Sequence, residues 1–377
     1  MKIALCTLYG NANLGNKLQN YALVRLSEGS SNEVDTIVTH LTNREVAYRV
    51  KSEFAVFLSR IGVKQAKQRA ILWEREKRLQ EFSEKYLNIT QRVKFDECDK
   101  LSDKYDLFIT GSDQVWHKWP CYEKTTDPNI QLKYFYLMFA APEKRISFAP
   151  SFGFEKFPDE DVKIHRQGLT EIKYLSCREK SAQNLIRELV GRDAILLPDP
   201  TLCLSASEWC TIEHSPQRYN LPKRFILVYF LGTISEERQR IFVDIANRFD
   251  AEIINIFDVH HKDGIHNSQY YLTNPDEFIY LVHNAEFVLT DSFHACVFSI
   301  IFHKKFLAFK REEQHMEKMF GRIENLINIT GINNCVYDNQ LVDDMLQRKI
   351  DYIDVDKKIN ILAKEARTYL NSALSKA

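Results

Sequence analysis

An ionisable side chain follows an apolar run late in the sequence, at His294 in "VLTDSFHACVFS". Asp291 or Ser292 is a suitable N-cap for a helix that starts here, which places Phe293 and His294 in its first turn. The N–H groups and positive dipole at a helix start favour phosphate or carboxylate, and a histidine beside such an anion can exchange a proton near neutral pH. These residues are therefore candidates for anion binding, with His294 as acid or base. A histidine hydrogen-bonded in a packed helix start is the alternative.

A polar loop follows an earlier buried strand in "ITGSDQVWHKW". Ser112, Asp113, Gln114 and Trp116 combine hydrogen-bonding groups with an aromatic ring, and this combination suits the hydroxyls and the C–H face of a sugar. Asp113 is a candidate base for a sugar hydroxyl. The alternative is an aspartate turn with tryptophans packed in the core.

Small and amide-bearing residues follow the first predicted strand, in "YGNANLGNKLQNYAL". Such a loop brings backbone close to a ligand, although it matches neither the dinucleotide-binding fingerprint nor the P-loop. A plain turn before a helix is the alternative. The candidate binding residues of this stretch are Gly15, Asn16, Lys17, Gln19 and Asn20.

A fourth candidate is Arg178, which lies between a short strand and a helix in "LSCREKSAQNL". A guanidinium can hold a carboxylate or a phosphate through two parallel hydrogen bonds. A surface ion pair involving Glu179 or Lys180 is the alternative.

No metal site is predicted. The stretch "DVHHKDGIH" offers His260 and His261 as neighbours in sequence rather than one helical turn apart, a poor spacing for a metal. The eight cysteines contain no C-x-x-C pair, which indicates reduced thiols in a cytoplasmic protein.

Charge and hydropathy exclude several classes of partner. The 51 Lys and Arg residues balance 51 Asp and Glu residues, so no global field favours nucleic acid or an anionic membrane. The N-terminal apolar run is too short for a signal peptide, and the longest apolar tract, residues 287–309, is interrupted by charged residues and histidines. We therefore expect no nucleic-acid partner and no membrane span.

Alternating strand and helix patterns must position these loops. Two β/α series predict an N-terminal domain over 1–205 and a C-terminal domain over 224–354, joined by a proline-containing linker over 206–223. An amphipathic helix in 355–377 needs another surface for its apolar face, either the first domain or a dimer partner. The predicted fold is α/β, with two Rossmann-like doubly wound domains facing across a cleft. Ligands bind at the carboxyl ends of such sheets, where the polar loops meet.

Several motifs, taken in this order, resemble the polysaccharide pyruvyl transferase family: "GNANLGNKLQNYAL", "GSDQVW", "KRISFAPSFG", "SCREKSA", "LPDPTLCL" and "TDSFHACVFSIIFHKKF". The resemblance covers most of the chain up to about Phe309. It implies a GT-B-like fold and transfer of a pyruvyl group from phosphoenolpyruvate to two sugar hydroxyls, which gives a cyclic ketal and phosphate. It also implies that the first domain serves the acceptor and the second the donor.

By position, the resemblance implies that His294 is the active-site histidine and that Arg178 contacts phosphoenolpyruvate. Relatives tend to have Arg-Leu where this chain has Ser292 and Phe293, so other groups must compensate for the missing arginine. We expect no cofactor besides phosphoenolpyruvate as co-substrate, and an acceptor that is a sugar or lipid-linked saccharide of a bacterial capsular or exopolysaccharide precursor. Peripheral membrane association, a homodimer, a nucleotide-sugar glycosyltransferase and a non-catalytic carbohydrate-binding relative stay open as alternatives.

Overall fold

The computed structural model describes residues 1–10, 13–29, 31–40, 44–90, 92–119, 127–257, 268–313, 320–332, 335–337, 346 and 349–375. Asn11, Cys121 and the residues of "HHKDGIH" lie outside the described residues.

Apolar runs buried on both faces build a parallel sheet in the N-terminal domain, as expected where helices cover both sides of a sheet. The described strands of the domain are β1 (Lys2–Cys6), β2 (Glu33–Thr36), β3 (Thr39–His40), β4 (Val93–Lys94), β5 (Leu107–Asp113), β6 (Arg145–Pro150), β7 (Ser176–Cys177) and β8 (Ile195–Leu196). The central order is β2-β1-β5-β6, and two short parallel pairs, β3 with β4 and β7 with β8, accompany this sheet.

In the described part of this domain the helices between the strands are α1 (Leu14–Glu28), α2 (Arg44–Arg60), α3 (Lys64–Tyr86), α4 (Ile130–Phe135), α5 (Val162–Glu171) and α6 (Lys180–Val190). Helix α1 begins within the predicted binding loop, because the Asn13 side chain caps it by accepting a hydrogen bond of 2.8 Å from Gly15 N. The predicted binding residues from Gly15 to Asn20 therefore lie in the first turns of this helix and not in a loop. Three residues separate α2 from α3, so the two form a helical hairpin.

The C-terminal domain repeats the architecture around a second parallel sheet of order β10-β9-β11-β12. Its strands are β9 (Phe225–Phe230), β10 (Glu252–Phe257), β11 (Phe287–Thr290) and β12 (Phe306–Ala308). Within the described part of residues 206–375, the helices are α7 (Ala206–Cys210), α8 (Glu236–Phe249), α9 (Ser268–Tyr271), α10 (Pro275–Asn284), α11 (Phe293–Ile301), α12 (Gly321–Thr330) and α13 (Tyr352–Ser375). Helix α11 is buried along its whole length, so the side chains of its first turn are enclosed by the protein.

The predicted linker, residues 206–223, starts with the helix α7. Ser205 and Glu208 form a reciprocal capping box at the start of α7. Trp209 is fully buried and packs edge-on against Phe298 of α11, with ring centroids 4.8 Å apart. The capping box and the burial of Trp209 stabilise a helix at the start of the segment, and the prolines, which disfavour helix, come only after it ends.

Buried arginines of α3 join the two domains. Arg78 pairs with Glu277 at 2.8 Å and donates to Leu272 O at 2.6 Å, and Arg75 donates to Tyr271 O at 2.5 Å. Removing one partner of such a buried pair leaves an uncompensated charge, so these contacts fix the domain arrangement.

The last helix, α13, crosses back from the C-terminal to the N-terminal domain. The Tyr369 hydroxyl donates to Ser147 O on β6 at 2.9 Å, and Arg367 donates to Cys203 O at 2.8 Å. No helix within the described residues is both long and apolar enough to cross a membrane.

Replacing Tyr369 with phenylalanine tests this docking. Ser147 O also accepts a hydrogen bond from Ser176 Oγ, so Tyr369→Phe leaves no orphaned acceptor. We expect the free energy of unfolding to fall by about 1 kcal/mol, the ordinary net value of one buried hydrogen bond. Urea unfolding measures the change, and a loss above about 3 kcal/mol would show that the hydroxyl supports more than one bond.

Candidate active site

Arg178 is the centre of a buried charged cluster at the carboxyl ends of the first sheet. Its Nε lies 3.0 Å from Glu179 Oε1, its Nη1 2.9 Å from Asp199 Oδ2 and its Nη2 3.4 Å from Asp113 Oδ1. Burial by itself lowers the pKa of Arg178, but the three carboxylates raise it above its ordinary value. The guanidinium therefore stays charged and ties three segments together.

Asp199 is the most enclosed of these carboxylates, with no exposed side-chain surface. Its Oδ1 accepts hydrogen bonds from Thr201 N and Thr201 Oγ1, and Ser112 Oγ lies 3.2 Å from its Oδ2. Burial raises the pKa of Asp199, whereas His294, Arg178 and the Thr201 hydrogen bonds lower it to a net value below the ordinary one. Asp199 is therefore an ionised partner for the cationic side of the cluster.

Asp113 connects the cluster to the second domain. Arg322, at the start of α12, places Nη1 3.0 Å from the same Asp113 Oδ1 that faces Arg178. Burial opposes ionisation of Asp113, but the neighbouring Arg178, Arg322 and His294 bring its pKa below the usual range. The carboxylate bridges two guanidinium groups, one from each domain.

His294 faces this cluster from the first turn of α11. Its Nε2 lies 3.9 Å from Asp199 Oδ2 and makes no hydrogen bond among the described residues. Burial lowers the pKa of His294 below its ordinary value, although Asp199 and Asp113 act in the opposite direction. The imidazole is thus neutral at pH 7 and holds a buried, unpartnered nitrogen beside two arginines.

The start of α1 packs directly on the His294 ring. A Cβ placed on Gly15 would lie 2.1 Å from His294 Nδ1, far inside van der Waals contact. Only glycine therefore allows the two helix starts to approach this closely.

A cavity of about 190 Å³ opens between the domains beside these groups. Arg178, Asp199, Phe293 and Arg322 line it, and Glu365 reaches it from α13. His294 and Asp113 do not belong to this lining, but they lie 3.9 Å from Asp199 and 3.0 Å from Arg322, which do. Arg178 Cζ also lies 5.0 Å from the centre of the Phe293 ring, a cation–π arrangement. Pockets for drug-sized ligands measure roughly 300 to 1,000 Å³, so by size the cavity suits a small organic molecule better than a nucleotide sugar.

The predicted residues around His294 have separate roles in the structure. Asp291 accepts hydrogen bonds from Leu231 N at 2.6 Å and Gly232 N at 2.8 Å, and it pairs with Arg311 at 3.3 Å. These contacts bind the loop after β9 to the end of β11. Ser292 occupies the N-cap position of α11, but its side chain makes no capping hydrogen bond.

Among residues predicted from the first loop, Gln19 supports the site from behind. Its Nε2 donates to Thr7 Oγ1 at 2.7 Å, and its Oε1 accepts from Ser112 N at 3.0 Å. Asn16 is half-buried, and its Oδ1 has no hydrogen-bond partner in the described part of the chain. Asn20 instead accepts from Thr36 Oγ1 in the core.

Two other predicted residues are fully buried away from solvent. Lys17 donates to Tyr9 O at 3.2 Å and lies 3.7 Å from the centre of the Tyr9 ring, and burial lowers its pKa to about 7. Trp116 stacks on Tyr136 with ring centroids 5.2 Å apart and has no exposed surface. Its ring is therefore packed in the core and offers no face to a sugar. Gln114 is also buried, against Gly153.

Asp199 and Arg322 were not predicted as site residues. Asp199 lies between two prolines in "LPDPT", a stretch that contributes to the sequence analysis only as one motif of the family resemblance. Arg322 lies in "FGRIENL", which carries no local signal, because its role depends on the approach of the second domain.

Comparisons with known proteins agree with the fold and identify a family. The family model described as polysaccharide pyruvyl transferase matches residues 13–313. No significant match was found among curated proteins. Among solved structures, a UDP-GlcNAc 2-epimerase from Methanocaldococcus jannaschii is similar at 12% identity, with 96% of this chain and 93% of that chain covered and a TM-score of 0.50.

A proposed UDP-N-acetylglucosamine 2-epimerase from Listeria monocytogenes is similar at 10% identity, with coverages of 96% and 90% and a TM-score of 0.50. At such identities the likeness concerns the fold alone. With the two parallel sheets, it confirms the predicted pair of Rossmann-like domains in a GT-B-like arrangement.

Neutralising Asp199 tests the cluster. Asp199→Asn removes a charged partner of buried Arg178, and we expect the free energy of unfolding to fall by about 3 to 5 kcal/mol. Asp193→Asn is the control, because Asp193 pairs with Arg187 at an exposed position, 77% accessible, where the loss should stay below about 1 kcal/mol. Equal stability of both variants in urea unfolding would contradict the assigned role of Asp199.

The neutral state of His294 predicts a pH dependence. Its folded pKa lies below that of an unfolded histidine, so the unfolded chain binds the proton more readily. The free energy of unfolding is therefore not reduced by protonation of His294 above about pH 7, and it falls as the pH drops through about 6.5, where the unfolded chain takes up the proton. His294→Gln should flatten this part of the stability profile, and NMR titration of the wild-type ring should give a pKa below that of free histidine. A higher pKa would overturn the assignment.

Proposed function

The chain belongs to the polysaccharide pyruvyl transferase family, and on that premise we propose that it moves a pyruvyl group from phosphoenolpyruvate to two hydroxyls of a sugar acceptor. The observation that carries this proposal is the neutral imidazole of His294, whose Nε2 has no hydrogen-bond partner among the described residues and lies beside two buried guanidinium groups. A small dianionic or trianionic donor needs such cations, and its chemistry needs a proton source.

Phosphoenolpyruvate would occupy the interdomain cavity. Arg178 and Arg322 would hold its carboxylate and phosphate, with Arg322 released in part from Asp113. Ser292 stands where relatives tend to have an arginine, so a guanidinium from α12 is a candidate replacement for the missing charge. Phe293 would pack against the donor from the first turn of α11.

His294 would supply the proton. The negative charge of the donor would raise the pKa of the neutral ring, which would take up a proton and pass it to the methylene carbon of phosphoenolpyruvate. The adjacent carbon would gain oxocarbenium character, and an acceptor hydroxyl would attack it and release its proton. The second hydroxyl would then form the other C–O bond as the C–O bond to phosphate breaks, and its proton would leave with the phosphate, which closes the ketal.

Asp113 would be a weak base while both arginines hold its pKa low. Release of Arg322 to the donor would remove one of these cations and make Asp113 a better acceptor for the hydroxyl proton. Gln19 and Ser112 would fix the loop that presents it. The acceptor would approach from the N-terminal domain, past the start of α1.

Substitution of His294 tests the proposed chemistry. His294→Gln should lower kcat for phosphate release by at least about 100-fold, the usual range for loss of a general acid. His303→Gln is the matched control, because His303 lies just beyond the same helix, exposed, where it pairs with Asp356 and stacks on Tyr352, outside the cavity lining. Full turnover in a folded His294→Gln variant would exclude the acid role.

Donor choice is measured separately by thermal unfolding. Phosphoenolpyruvate at 100 times its Kd should stabilise the protein by about 2.7 kcal/mol, whereas a nucleotide sugar should not. Phosphate release is then assayed over galactosides and other sugar acceptors. Stabilisation by a nucleotide sugar alone would favour a glycosyltransferase, and sugar binding without phosphate release would favour a non-catalytic relative.

A further inference from the structure

Helix α2 turns an apolar stripe towards solvent. Val50, Phe54, Phe57 and Ile61 are 62%, 60%, 57% and 63% exposed. Their spacing of four, three and four residues places them on one face of the helix and the turn that follows it. The opposite face carries the buried Ser52, so the usual arrangement of an amphipathic helix is inverted.

Contacts with α3 fix this orientation. The Tyr48 hydroxyl donates to Glu76 Oε1 at 2.7 Å, and Arg69 Nε donates to Ser52 Oγ at 3.3 Å. Ala55 packs on the same inner side. The stripe therefore faces outward because the other face is already committed to the hairpin.

Basic residues surround the stripe, although the whole chain has no net charge. Between residues 48 and 67 the exposed basic side chains are Arg49, Lys51, Arg60, Lys64 and Lys67. The acidic residue in this range is Glu53, whose carboxylate lies 3.1 Å from Lys77 Nζ. The surface around the rings is thus locally cationic.

We propose that this stripe binds an anionic lipid surface, with Phe54 and Phe57 at the boundary of the acyl chains and the flanking basic side chains at the headgroups. Exposed apolar residues flanked by Lys and Arg are the pattern of interfacial helices. A second copy of this chain fits less well, because a two-fold contact over the stripe would bring the same basic residues face to face.

The hairpin also lies against the loop predicted to face the acceptor. The Tyr9 hydroxyl donates to Gln80 Oε1 of α3 at 3.2 Å. A membrane held by α2 would therefore lie on the side of the N-terminal domain from which a lipid-linked saccharide could arrive. This consequence rests on the proposed function, whereas lipid binding itself does not.

Vesicle flotation of the full-length protein tests the proposal. Wild type should bind vesicles of phosphatidylcholine with phosphatidylglycerol and bind phosphatidylcholine alone more weakly. Phe54→Ser with Phe57→Ser should lower the partition coefficient at least about tenfold, since two large apolar side chains leave the lipid. Ile353→Ser with Ile361→Ser, at 71% and 58% exposed positions on α13, is the matched control and should bind as wild type does.

A charge variant separates the electrostatic contribution to lipid binding from the apolar one. Lys51→Glu with Arg60→Glu should weaken binding to the anionic vesicles by about tenfold or more, with a smaller effect on neutral ones. The proposal fails if wild type does not float with anionic vesicles, or if the phenylalanine variant floats equally well. Sedimentation that shows a dimer lost in the phenylalanine variant, without vesicle binding, would assign the stripe to a second copy.

Phosphate release with a water-soluble acceptor keeps this test apart from the proposed function. The phenylalanine variant should release phosphate at the wild-type rate, because the stripe is not part of the cavity. Lost flotation with normal turnover supports a separate lipid surface. Normal flotation of a wild type that releases no phosphate would refute the chemistry and leave the lipid surface standing.

Discussion

The buried guanidinium of Arg178 is the interaction on which the rest of the site depends. Its partners come from the end of β5 at Asp113, from the start of α6 at Glu179 and from the segment after β8 at Asp199. A buried charge without partners costs several kcal/mol, so these segments cannot separate independently. Because Asp113 also holds Arg322, the same constraint extends to the second domain and to the lining of the cavity, which includes Arg322.

A steric constraint accompanies the electrostatic one. The starts of α1 and α11 approach so closely that the His294 ring occupies the space where Gly15 would carry a side chain. This contact excludes water from one edge of the ring, and burial keeps the imidazole neutral. The loop after β1 thus contributes to the chemistry by shaping the surroundings of His294, whatever ligand contacts it also makes.

Much of this arrangement could be predicted from sequence because it depends on local pattern. Polar residues directly after apolar strands identified Asp113, Arg178 and His294, since parallel strands bring their carboxyl ends to one edge. Arg322 could not be found in this way, because only the docking of the domains brings α12 to the cluster. Trp116 looked like a sugar platform, yet its size and the aromatic neighbours around it favour burial. The outward apolar face of α2 likewise depends on packing against α3, which the sequence of the helix does not show.

The charges of the cluster relate donor binding to proton supply. With His294 neutral, the two guanidinium groups of Arg178 and Arg322 face three carboxylates, so the side chains of the cluster carry no surplus of positive charge. In the proposed reaction an arriving anion would therefore be accommodated only with a proton on His294 or with displacement of Asp113 from Arg322. Both changes would serve catalysis, because the first creates the acid and the second frees the base. The acid would then exist only when the donor is present, since burial returns the ring to its neutral form once the anion leaves.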